Sequence, residues 1–268
     1  MTLEIVSPQN PRIKEVVRLR DRRGRQKQSR FIIDGLREIQ RACASTLTIE
    51  EVYFDISQCQ QEAERATLSI LQNDGVKLIE VSGRVMEKLS YGQRQLGMVA
   101  VASTPALRTL SDFFLTPEAF IIVLEAVEKP GNLGAIMRTA DAAGVDAVFL
   151  SGGTDDLFNP NTIRSSSGAI FQLPAIHTQH DELQSWLKGN AFKTFATRVD
   201  GAINYTQANY TGRVALVMGT EATGLSNNWD PQNSSAISIP MLGIGDSLNV
   251  STSCAVVCFE ALRQRSQA

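Results

Sequence analysis

Hydrophobic positions fall into two patterns along the second half of the chain. Short apolar runs, AFIIVLEAV (119–127), VDAVFLSG (145–152) and RVALVMG (213–219), alternate with stretches whose apolar residues recur at helical spacing. NLGAIMRTADAAG (132–144), DELQSWLKG (181–189) and the long segment from about Asn249 are of the second kind. Runs of the first kind belong to parallel strands buried on both faces, and their alternation with helices predicts a parallel sheet covered on both sides. FKTFATRV (192–199) and SSAISIPM (234–241) read as further strands, and NPNTIRSSSGAI (159–170) as a short helix or loop.

The first half has shorter elements. Ile13, Val16, Val17 and Leu19 mark a helix that breaks at the charged stretch around Gly24. FIIDGLREIQRACAS (31–45) predicts a short strand and then a helix. TIEEVYFDI (48–56) predicts a strand by its β-branched and aromatic content, and QEAERATLSILQNDG (61–75) a helix stopped by Gly75. VKLIEVS and LGMVAVAS supply two more strands. The run STPALRTLSDFFLTPEAF, with its prolines and hydroxyls, reads as a linker. The pattern therefore predicts a small α/β domain at 1–102, a linker at 103–117 and a larger α/β domain at 118–268.

Composition narrows the class. With 43% hydrophobic and 20% charged residues the 268-residue chain is globular, and no apolar run approaches the roughly 20 residues of a membrane helix. The first residues lack the apolar core of a secretory signal, so a cytoplasmic protein without a membrane partner is expected. The four cysteines fit no zinc-knuckle spacing and are expected as buried free thiols. His177 and His180, the two histidines, are expected at the surface, and no metal site is expected.

Charge changes the picture more. The net charge of −2 conceals a segment, residues 12–41, with 11 Lys or Arg against four acids. Arginine predominates there, which suits planar two-point contacts to phosphate. Arg20, Arg22, Arg23, Arg25 and Arg30 are therefore expected to meet the phosphates of a polyanion, with scattered charge on a solvated helix as the plainer alternative.

Three polar loops follow predicted strands, at the carboxyl edge where open α/β sheets bind ligands. In EKPGNLGAIMRTADAAG (128–144), Gly131 and Gly134 bracket Asn132 at a helix start. Arg138 lies one turn after Gly134 and is too large and cationic for a core face. A dinucleotide loop is disfavoured, because the G-x-G-x-x-G spacing and the following acid are missing. In MGTEATGLS (218–226), Gly219 and Gly224 allow close backbone approach and Glu221 brings an acid beyond the strand. In IPMLGIGDSLNVS (239–251), Gly243 and Gly245 permit a tight turn before Ser247 and Asn249, both good helix caps.

Together PGNLGAIMRTADAAG, VMGTEATGLS and IPMLGIGDSLNVS resemble, in order and spacing, the SpoU (TrmH-like) family of RNA ribose 2′-O-methyltransferases of the SPOUT superfamily, over residues 118–265. Residues 7–102 resemble the L30e-like substrate-binding domain of ribosomal RNA members, with Asp34-Gly35 where relatives commonly have Glu-Gly. The resemblance implies a SPOUT-type parallel sheet with a carboxyl-terminal deep trefoil knot. It further implies S-adenosylmethionine bound in that knot and a homodimer formed through the knotted domain.

By the same resemblance Met218, Gly219, Ile239, Met241 and Leu248 hold the cofactor, and Asn132, Arg138, Glu221, Ser247 and Asn249 are the catalytic-motif residues. Arg138 either grips a phosphate and stabilises developing charge or removes the hydroxyl proton, a hard task for a group with a pKa of about 12.5 or higher. NPNTIRSSSGAIFQLP also resembles a family segment and places Arg164 towards RNA. The expected reaction is methylation of a ribose 2′-hydroxyl, in 23S ribosomal RNA ahead of transfer RNA. A catalytically silent RNA-binding assembly factor is the other reading.

Overall fold

Apolar runs of this kind need partners on both faces, and the chain provides them by forming two sheets, each with its own core. The computed structural model describes residues 3–90, 96–152, 156–201, 203–220, 224–229 and 232–267. It divides into two compact units, Met1–Ala106 with Asp156–Gln172, and Leu107–Asp155 with Leu173–Ala268.

The elements of the first unit begin with β1 (Leu3–Ile5), α1 (Pro11–Arg18), α2 (Arg22–Gln28), β2 (Arg30–Asp34) and α3 (Leu36–Cys43). They continue with β3 (Ile49–Phe54), α4 (Glu62–Asn73), β4 (Lys77–Val81), α5 (Gly83–Leu89) and β5 (Met98–Ser103). The strands lie in the order β1-β4-β3-β5-β2, with β5 antiparallel to both neighbours and the other pairs parallel. Asn10 accepts a hydrogen bond from the Arg12 N–H and Pro11 opens α1, so this helix starts on two sequence signals at once. Its apolar stripe, Ile13 and Val16, joins Ile32, Tyr53, Ile79, Val99 and Val101 in one core. Gly24 is required where α2 meets the end of α1, since a Cβ there would lie 1.9 Å from the Arg18 carbonyl oxygen.

The second unit opens with β6 (Phe120–Glu125), α6 (Pro130–Ala142) and β7 (Ala147–Ser151). After α7 (Pro160–Ser165) come β8 (Ala175–Thr178), α8 (His180–Gly189), β9 (Lys193–Thr197), β10 (Ile203–Asn204), β11 (Val214–Met218), β12 (Ser235–Ser238) and α9 (Val250–Arg265). All pairs in this sheet are parallel, in the order β10-β12-β9-β11-β6-β7-β8. The chain winds outward through β6, β7 and β8, then crosses to the other side, and β11 returns between β6 and β9. That reversal of strand order is where parallel sheets open a crevice at their carboxyl ends. The central strands β7 and β11 are buried throughout, which explains their lack of polar alternation. α9 packs against α6.

One segment lies elsewhere than the sequence pattern suggests. Asp156–Gln172, which contains α7, packs with the first unit although its neighbours on both sides belong to the second. Aromatic stacking and charge explain it. Phe31 of β2 stacks on Phe158 at 4.3 Å and on Phe171 at 6.3 Å, and Arg164 pairs with Asp34 at 2.7 Å.

Cys59, Cys254 and Cys258 are buried free thiols and Cys43 is half-buried. His177 and His180 are half-buried rather than at the surface, because β8 and the start of α8 pack into the second unit. Among the described residues no helix is long and apolar enough to cross a membrane.

Candidate functional site at the carboxyl edge of the parallel sheet

The ends of β9, β11 and β12 surround a cleft of about 690 Å³. One wall is Met218, Gly219 and Thr220, together with Gly224 and Leu225. Thr220 and Gly224 exchange backbone hydrogen bonds of 3.1 and 3.0 Å, and a Cβ on Gly219 would stand 2.4 Å from the Gly224 carbonyl carbon. Only glycine permits that approach, so the backbone itself forms the wall. The opposite wall comes from the segment between β12 and α9, with Ile239, Met241, Ser247 and Leu248 facing the same space. All five residues expected to hold the cofactor thus line one cleft.

A third wall was not anticipated. Thr197, Arg198, Val199 and Asp200, just beyond β9, complete the enclosure. Arg198 donates to both Asp200 oxygens, at 2.8 and 3.1 Å, which raises the arginine pKa and lowers that of the carboxyl. The signal for it was present: β9 ends at the same edge as β11 and β12, and the loop after it carries a charged pair.

Asn132 and Asn249 meet. Asn249 caps α9 by accepting from the Ser251 N–H at 2.9 Å and the Ser251 hydroxyl at 2.6 Å, while its amide nitrogen donates to Asn132 Oδ1 at 3.2 Å. The pair joins the first turn of α6 to the first turn of α9. Helix capping is therefore part of the work of Asn249 but not of Asn132, which lies inside the first turn of α6 after Lys129 at the cap position. Arg138 stands exposed on α6, outside the cleft lining, with no hydrogen bond or ion pair among the described residues. Glu221 lies outside the described residues. Among those described, no group of three or more His, Cys, Asp or Glu side chains could hold a metal ion.

The expected RNA-facing arginines divide sharply. Arg25 is only 5% exposed; it donates to the carbonyls of Leu19 and Arg20 and forms an ion pair with Asp156. Arg20 donates to the carbonyls of Lys88 and Ser90. Arg30 reaches Gln28 at 2.7 Å and sits 3.4 to 3.5 Å from Glu51 and Glu50, and Arg164 is committed to Asp34. Burial removes Arg25 from a polyanion surface, while Arg20, Arg30 and Arg164 are half-buried and engage protein groups as well. Arg22 and Arg23 stay exposed on α2, next to exposed Arg18 and Lys27.

Comparison with known proteins agrees with this architecture. The SpoU rRNA methylase family matches residues 119–259, and the MRM3-like substrate binding domain matches residues 10–100. The chain is 36% identical, over 73% of its length and 83% of the relative, to the Escherichia coli K12 23S rRNA (guanosine-2′-O-)-methyltransferase RlmB. It is 26% identical to the Bacillus subtilis strain 168 23S rRNA (guanosine(2553)-2′-O)-methyltransferase RlmP, over 96% of this chain and 98% of that one. A crystal structure of an RNA 2′-O ribose methyltransferase superposes with a TM-score of 0.87 at 39% identity, covering 98% of this chain and 99% of the other. The SpoU methyltransferase AviRb from Streptomyces viridochromogenes, solved with AdoMet, superposes at 0.84 and 25% identity, covering 97% and 100%.

Proposed function

The chain belongs to the SpoU rRNA methylase family, and on that premise we propose that it transfers the methyl group of S-adenosylmethionine to a ribose 2′-hydroxyl of 23S ribosomal RNA. The observation that carries this reading is the cleft at the ends of β9, β11 and β12, with a glycine-lined backbone wall on one side and Ile239, Met241 and Leu248 on the other. Such a cleft suits a ligand with a flat apolar part and a polar tail, and its volume is that of a small-molecule site. The expected trefoil knot is supported by the path of residues 239–249, which run beside Met218 and Gly219 before entering α9.

Bound S-adenosylmethionine supplies a methyl group already activated on a sulfonium, so the protein contributes position and electrostatics. Met218 and Gly219 present backbone groups to the ligand, and Ser247 offers a hydroxyl within the same lining. Asn132 and Asn249 fix the two helix starts against each other. Arg138 provides positive charge for a phosphate and for the oxygen that becomes more negative during transfer. Its place outside the cleft of one chain fits a site completed by a second copy, and α9 leaves Phe259 and Leu262 exposed as an apolar strip for such a dimer.

The test is incubation with methyl-labelled S-adenosylmethionine and separated ribosomal and transfer RNAs, followed by alkali digestion. Label in ribosomal RNA that protects the adjoining linkage is expected, with Arg138→Ala lowering the rate by about 10²-fold or more. The same preparation is expected to sediment at twice the mass of one chain. Label in transfer RNA alone would move the substrate, and bound cofactor without any label would leave an RNA-binding assembly factor.

A further inference from the structure

We infer that Glu125 is a positioning residue for cofactor binding, acting through Ser226 on the glycine wall of the cleft; this rests on the methyl-transfer reading above. Glu125 ends β6, and the residue before it, Leu124, lies in register with Met218 at the end of β11. Its two carboxylate oxygens are both engaged. Oε2 accepts from the Ser226 N–H at 2.8 Å and Oε1 accepts from the Ser226 hydroxyl at 2.7 Å. Ser226 directly follows Gly224 and Leu225, the far side of the cofactor wall.

The wall therefore has two anchors. Met218 fixes its start within the sheet, and Glu125 fixes its exit from the neighbouring strand. Between them the backbones of Gly219 and Gly224 are already in contact, so a shift at Ser226 passes directly to the atoms that face the ligand. A carboxylate holding two donors is among the stronger and more directional hydrogen-bond arrangements.

The surroundings are built to keep it so. The Glu125 side chain is 13% exposed, with the His180 imidazole 3.7 Å away and the buried Trp229 indole edge-on to that ring at 5.1 Å. Trp229 itself follows from Ser226, whose carbonyl accepts the Trp229 N–H at 3.4 Å. Ala126, next to Glu125, adopts a left-handed φ of 52° and donates its N–H to the Ser151 carbonyl at 3.0 Å. Residues with a Cβ rarely take that conformation, and here it ends β6 directly after the carboxylate.

The experiment compares Glu125→Ala, Glu125→Gln, Ser226→Ala and the Glu125→Ala/Ser226→Ala double variant with wild type. It reads S-adenosylmethionine affinity by calorimetry, and kcat with KM for cofactor and for RNA. Glu125→Ala is expected to weaken cofactor binding about tenfold or more and raise its KM in step, with kcat at saturating cofactor and KM for RNA within roughly twofold. Ser226→Ala keeps the backbone donor and should lose roughly threefold, Glu125→Gln should recover most of the affinity, and the double variant should be no worse than Glu125→Ala. Cofactor affinity at the wild-type level in both Glu125→Ala and Ser226→Ala overturns the inference, as does a loss shared equally by RNA and cofactor. Should Glu125→Ala not fold, Ser226→Ala and Glu125→Gln decide alone, and wild-type affinity in both is the overturning result. A wild-type chain that binds no S-adenosylmethionine instead overturns the methyl-transfer reading, before any variant is compared.

Discussion

Arg23 and Arg25 stand two residues apart on α2 and do opposite work. Arg23 is exposed, whereas Arg25 is buried and holds two carbonyls and Asp156. Arg25→Ala is expected to destabilise the protein by about 3 kcal/mol, because it leaves Asp156 and two inward carbonyls without their donor. Arg23→Ala should change stability by no more than about 0.5 kcal/mol, yet weaken RNA binding and lower its salt dependence by about one phosphate contact. Denaturant unfolding and RNA titration at several salt concentrations check both, and equal stability losses in the two variants would contradict the assignment. The arginine run was legible as a cluster but not as two populations. Its partners Glu50, Glu51 and Asp156 lie elsewhere in the chain, and Asp156 is 131 positions from Arg25. The five residues that the family resemblance assigned to the cofactor come together in one cleft because β11 and β12 end at the same edge and the segment before α9 passes beside them. Arg198 and Asp200 sit beyond a strand of that edge too, in a loop outside the three stretches that carried the family resemblance.

Elements with an unbroken apolar run were read directly, β6 and β11 above all, because a run as short and β-branched as VALVM between helical stretches suits a doubly covered strand. α2 was not. Its sequence RRGRQKQ has no apolar position from which a period could be read, and its one buried residue is an arginine. A similar limit applies to β8, AIHT, where His177 supplies a consequence for pH. Burial holds the His177 imidazole below its ordinary value near 6.5, and its Nε2 has no hydrogen-bond partner among the described residues. The folded protein thus keeps this group neutral while the unfolded chain takes up a proton. Stability is fully present above the unfolded value and is lost as pH falls below about 6.5, until the folded group also titrates. Urea midpoints at about pH 7.5 and 5.5 should show this decline in wild type and a shallower one in His177→Asn. Parallel declines would show that other groups carry the acid sensitivity.

At the scale of the whole molecule one boundary between the units falls at Ala106, inside the stretch 103–117 expected as a linker, and from Leu107 that stretch belongs to the second unit, where Leu110 and Phe113 join the core. The return of Asp156–Gln172 to the first unit was not visible, because a short polar helix carries no mark of which core it joins. Residues 1–106 alone should therefore be less stable than the same residues joined by a flexible linker to 156–172, by about 3 kcal/mol or more, through the loss of Phe158, Asp156 and Arg164. Thermal unfolding followed by circular dichroism measures the difference, and matching midpoints would show the segment to be dispensable.

The same discontinuity sets a timetable on the ribosome. Translation delivers about 5–20 residues per second, and domains ordinarily fold as each is completed. Here the first unit has to wait, with the ring of Phe31 uncovered, until β6, α6 and β7 have emerged and Gln172 has followed them. For those seconds the nascent chain carries one incomplete core and the start of another, so the first unit is finished only after the second is under way.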